Sequence, residues 1–132
     1  MRVLFVAAAI VLASAGAGFA EDTTPAAPAA PVTVPDALAP TIGNTVVVVD
    51  AKGLESHTWF AADGTFSGIA PAYNYPFKGT WTITADGQLC RTFDPVPPGI
   101  VNPVCSPLEA HAVGDKWTDK DGGADTLVAG KQ

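Results

Sequence analysis

Few side chains in this sequence are of the kinds that do chemistry, and their spacing limits them further. His57 and His111 are the only histidines. Ser56 precedes His57, but neighbours along a strand point to opposite faces, so the two do not make a nucleophile–base dyad. The chain holds no nucleophile elbow, no Gly-rich phosphate loop and no Ser-His-acid pattern. The carboxylates Asp115, Asp119, Asp121 and Asp125 crowd into the stretch GDKWTDKDGGAD. Asp-x-Asp-Gly echoes the start of a calcium loop, yet the rest of that frame and its closing Glu are missing. Turn formation accounts for these residues, because Asp and Gly favour tight reversals. The expectation is a non-enzymatic chain with no metal and no cofactor.

Arg91 stands apart. In the register derived below it is the one charge on an otherwise apolar face, opposite Trp81. A guanidinium in that position can hold an anionic head group while aromatic rings cover an apolar tail. The plainer alternative stacks it on Trp81 with its head in water. Trp59, Trp81 and Arg91 are the candidate ligand-binding residues.

The chain that must position them has 132 residues, room for one domain. Its 7 basic and 13 acidic side chains give a formal net charge of -6. A nucleic-acid binder needs a basic footprint, so that class is excluded. Arg2, the apolar run Val3 to Leu12 and the small residues before Glu21 describe a secretory signal peptide cleaved after Ala20. The apolar block is too short to span a bilayer, and no later segment does better. A periplasmic or secreted location follows. Residues 21–40, with five prolines and six alanines, read as a disordered linker.

From Thr41 to Gln132 every signal is β. Thr45 to Val49 is a β-branched run, and helical periodicity is absent. Trp59 precedes Asp63-Gly64, Trp81 precedes Asp86-Gly87, and Trp117 precedes Asp121-Gly122. Asp-Gly between short alternating runs is a strong hairpin signal. The expectation is an all-β antiparallel meander of about seven or eight short strands, curled into a small barrel or flattened sandwich. For the second hairpin, a loop Ala85-Asp86-Gly87 puts Gly79, Trp81, Ile83, Leu89, Arg91 and Phe93 on one face and Cys90 on the other. For the first, a two-residue loop Asp63-Gly64 gathers Trp59, Ala61, Phe66, Gly68 and Ala70, with Gly68 opposite Trp59.

Cys90 and Cys105 are the only cysteines, and an oxidising compartment makes a disulfide the default. A zinc pair would need two further ligands at the right spacing. The bridge closes a proline-rich loop and is worth about 3 kcal/mol.

Gly79-Thr80-Trp81 on a strand of a small exported β-meander resembles the Gly-x-Trp of lipocalin-like barrels. The segment before Pro40, Gly79-Thr80-Trp81, Cys90 with Cys105, and Trp117 together resemble bacterial metalloprotease inhibitors of the small-barrel type. That resemblance implies an N-terminal segment that enters a protease cleft. In general style the chain is also similar to short periplasmic proteins of Gram-negative bacteria that carry no assigned activity. Three functions are therefore expected in turn. The first is an interaction or structural module, monomeric, that meets an unknown protein partner through the linker and the Cys90–Cys105 loop. The second is a carrier of a small amphipathic ligand, and the third a protease inhibitor acting through its N-terminal arm.

Overall fold

The computed structural model describes residues 31–132. The expected signal peptide, residues 1–20, and residues 21–30 of the expected linker lie outside the described residues. The fold is all-β. Eight strands form one antiparallel sheet: β1 (Thr45–Val49), β2 (Glu55–Phe60), β3 (Thr65–Ala70), β4 (Tyr75–Ile83), β5 (Gln88–Phe93), β6 (Val104–Pro107), β7 (Lys116–Thr118) and β8 (Ala124–Val128). Spatial order is β6-β5-β4-β3-β2-β1-β8-β7. The first six strands are a meander, and the last two form a hairpin laid against β1. Among the described residues no helix is long and apolar enough to cross a membrane.

The hairpins share one loop. The N–H of Asp50 donates to the Leu54 carbonyl, Ala61 to Thr65, Thr84 to Gln88 and Asp119 to Gly123, each closing a three-residue reversal. The third loop residue is Gly53, Gly64, Gly87 or Gly122, each with φ between 80° and 87°. Only glycine takes that conformation without a Cβ clash, so these four positions set the register of the sheet. Asp50 and Asp119 add side-chain locks, each accepting two backbone N–H bonds of 2.8–2.9 Å from its own loop.

The expected β4–β5 register holds: Trp81 pairs with Arg91, Thr82 with Cys90 and Gly79 with Phe93. The expected β2–β3 register does not. Its loop is Ala62-Asp63-Gly64 rather than Asp63-Gly64, so Gly68 pairs with Thr58 and Trp59 pairs with Ser67. One added loop residue turns a strand over, because side chains alternate with a period of two. Trp59 consequently belongs to the convex face.

The sheet curls into a half-barrel whose edges, β6 and β7, do not pair. Closure, which would have removed both edges, stops short at this seam. The two edge strands are only four and three residues long, which limits their use as templates for stray pairing. Curling is tight where the concave face carries glycine. A Cβ on Gly68 would collide with the Phe77 ring, and one on Gly79 with the Thr92 carbonyl.

One end of the half-barrel is sealed by Leu38, Phe60, Phe66, Trp81 and Phe93, with Val34, Ile42 and Ile83 packed against them. Phe66 meets Phe93 edge-on at 5.0 Å between ring centres, a favoured aromatic geometry. Leu38 is 2% exposed. Its segment is held by turn bonds from Leu38 N and Ala39 N to the Pro35 carbonyl, followed by a 3-10 turn over Ala39–Thr41. The Thr41 hydroxyl donates back to the Leu38 carbonyl at 2.7 Å. The expected linker over 21–40 is thus corrected at its end: Val34 to Pro40 belong to the domain. Proline-rich composition forbids a regular helix or ladder there, but not a docked turn that buries one leucine.

Cys90 and Cys105 face each other across β5 and β6 on the convex side, with Cα atoms 4.0 Å apart, and are bonded. The loop beyond them is also pinned from within. The Asn102 side chain accepts from Phe93 N at 2.9 Å and donates to Phe93 O at 2.8 Å, extending the ladder by one mimicked residue.

Candidate functional site

The sheet's curl leaves a trough of ≈ 700 Å³ along its concave face. The alternation of β1, β2, β4, β5 and β6 builds it: Val46, Val48, Phe60, Phe77, Leu89 and Val104 supply apolar walls. Its volume falls within the range of small-molecule sites.

Of the three residues expected to bind ligand, only Arg91 lines this trough. Trp81 shares its face but is 2% exposed within the sealed end, where its indole N–H donates to the Ala61 carbonyl at 2.9 Å. Trp59 is on the other side of the sheet. There its indole N–H donates to Thr45 Oγ1 at 2.9 Å, and Lys131 Nζ lies 4.4 Å from its ring centre. The guanidinium of Arg91 does not stack on its cross-strand neighbour Trp81. It lies over Phe93 instead, 5.7 Å from the ring centre.

Trp117, Asp125 and His111 complete the polar part of the trough and were not among the expected site residues. Trp117 and Asp125 are cross-strand partners at the β7–β8 hairpin, and Val48 adjoins Asp125 on β1. The ring of His111 lies flat on Trp117, 3.6 Å between centres and 5° from parallel. Asp125 is 8% exposed, and its Oδ1 has no hydrogen-bond partner among the described residues. Burial, reinforced by the like charge of Asp119, pushes its carboxyl up to about 6. Arg91, the Trp117 indole N–H and His111 act in the opposite direction.

Arg91 is pulled down by burial and supported by Asp125, Asp119 and Asp121. None of these three approaches it within 4 Å, since the ion pairs among the described residues are His57–Glu55, His111–Glu109 and Lys120–Asp121. Guanidinium and carboxylates therefore line the same trough without forming an ion pair. Ser56 lines the trough whereas His57 points away from it, bonded to Glu55 at 2.6 Å.

The only sequence signal for Trp117 and Asp125 was the crowding of carboxylates around Asp121-Gly122. Asp119 and Asp121 are engaged by the turn and by Lys120, while Asp125 alone of the group is buried. No family model, no curated protein and no solved structure matches the chain.

Proposed function

We propose that this chain is an exported, non-enzymatic carrier that holds a small amphipathic ligand in the trough of its half-barrel. The observation that carries this reading is the trough itself, ≈ 700 Å³ with apolar walls and charged groups gathered at one side. A domain built only to present its outer surface has no use for such a void, because unfilled space forfeits packing energy. The disulfide on the convex side is compatible with an oxidising compartment.

An interaction module is the second reading, favoured by the loop beyond the disulfide. Val96, Ile100 and Val101 are exposed there, Val101 at 82%, on a segment stiffened at its base by Asn102. Apolar side chains on a stiff loop suit a protein contact. Among the described residues nothing comparable favours an inhibitory arm, since Val34 and Leu38 are packed into the core.

A native mass spectrum of the full chain, expressed with residues 1–20 in place and recovered from the periplasm, tests the carrier reading. A discrete added mass, lost when Leu89→Trp fills the trough, is the expected result. A bare protein mass, together with no change in Trp117 fluorescence on adding decanol, would overturn it.

A further inference from the structure

We infer that the head group this trough selects is an organic ammonium, received by the Asp125 carboxylate. The inference rests on the carrier reading and specifies its ligand.

Electrostatics come first. Asp50, Glu55, Glu109, Asp119, Asp121 and Asp125 line the trough against Arg91 and Lys120. Lys120 is already held by Asp121, 2.9 Å from Oδ2. An anionic head placed at Arg91 would enter the field of Asp125, Asp119 and Asp121, the charges that oppose the effect of burial on the guanidinium. A cationic head meets the reverse situation. Arg91 and Lys120 against Asp119, Asp121 and Asp125 leave a negative surplus for it to neutralise.

The second observation is independent of the count of acids. Asp125 is more than nine-tenths buried on the trough wall, and its Oδ1 accepts no hydrogen bond among the described residues. A buried carboxylate oxygen without a donor is a costly arrangement, and folded proteins ordinarily satisfy such atoms. What is missing is a donor. An ammonium supplies three, with a charge of the right sign, whereas a carboxylate or phosphate head supplies none.

The surroundings agree. Tyr73, Tyr75 and Trp117 line the same trough, and aromatic rings attract organic cations. The apolar walls beyond Asp125 fit an alkyl tail rather than a hydrated metal ion, which would demand several more oxygens.

Three decyl compounds that differ only in head group test this by calorimetric titration of the full chain at pH 8. Decylamine, charged at that pH, should bind about tenfold or more tighter than decanol, with decanoate weakest. Asp125→Asn should bring decylamine down to the affinity of decanol, with cooperative denaturant unfolding showing that the variant is folded. Decanoate binding more tightly than decanol, or a preference for decylamine that survives Asp125→Asn, would overturn the ammonium assignment and leave the carrier reading standing. Failure of all three to bind would remove the carrier reading itself.

If Asp125→Asn loses decanol as well, the titration is repeated at pH 8 and pH 5 on His111→Gln protein. The charged or titratable groups facing Asp125 are Arg91 from β5, Asp119 from the hairpin loop and His111 from the segment before β7. Its neighbour on β1, Val48, is uncharged. With His111 removed, the preference for decylamine should shrink at pH 5. A preference unchanged at pH 5 would overturn the assignment.

Discussion

Trp81 and Trp117 each enter an Asp-Gly hairpin and each face the hollow side of the sheet, yet their surroundings are opposite. Trp81 is sealed among phenylalanines and its N–H is satisfied by the Ala61 carbonyl. Trp117 is half-buried, flat against His111, and beside a carboxylate oxygen that lacks any partner among the described residues. One end of the half-barrel is packed for stability; the other holds polar groups at a cost to it. Departures from internal consistency of this second kind collect where a protein binds something.

The largest expected effect lies at the sealed end. Trp81→Ala removes the centre of the aromatic cluster, and truncations of this type cost about 3–5 kcal/mol. For a domain this small that is a large share of its stability, so thermal unfolding should begin near room temperature. Trp117→Ala should lower stability by less than about 1 kcal/mol while weakening amphipath binding, because much of the ring faces the trough rather than packed neighbours. Similar losses of stability for the two variants would erase the distinction between the ends.

Asp125→Asn probes the open end from the other direction. The Asp125 carboxyl is raised from 3.8 to about 6, by burial first and Asp119 second. Between those values the folded protein binds more protons than the unfolded chain, so this group's contribution to stability falls as pH rises and its cost is complete above pH 6. That cost is about 2–3 kcal/mol. Denaturant unfolding of Asp125→Asn should therefore show a gain of about 2 kcal/mol at pH 7.5, little gain at pH 4, and a flattened profile between. A variant destabilised at both pH values would mean that Asp125 serves as a structural counter-ion for Arg91. Stabilisation together with lost decylamine affinity is a pairing that a structural role does not produce.

The same two ends differ in how far the sequence reveals them. On β4 and β5 the threonines and Cys90 separate cleanly from Trp81, Ile83, Leu89 and Phe93, so polarity alone selects the observed register. On β2 and β3 it misleads, because gathering apolar residues on one face joins Trp59 to Phe66, Gly68 and Ala70, which lie on the opposite side of the sheet. The better guide is the loop that all four hairpins share. Trp59 precedes its closing residue Ala61 by two positions and Trp81 precedes Thr84 by three, which sends them to opposite faces. The plug at Leu38 is masked by a composition that otherwise describes a linker. Least legible is the polar side of the trough. It depends on β8 pairing with β1, a contact between residues some 80 positions apart that no local pattern announces. Without that pairing, Asp125 reads as one more turn residue.

The smallest effect offers the sharpest check on the faces. Thr45 is fully buried, and its hydroxyl accepts from the Trp59 indole and from Gln132 N, each at 2.9 Å, while donating to the Gly130 carbonyl at 2.6 Å. Trp59→Phe keeps a ring over the convex face but removes one of these bonds and weakens the contact with Lys131. The loss should be about 1 kcal/mol, measurable as a small shift in the denaturant midpoint. Decanol and decylamine affinities should not change, since the sheet itself separates Trp59 from the trough. A severalfold change in either affinity, with Trp117→Phe silent, would place Trp59 on the concave side. It would also restore the two-residue loop at Asp63-Gly64, and the assignment of walls to the trough would have to be rebuilt from β2 outward.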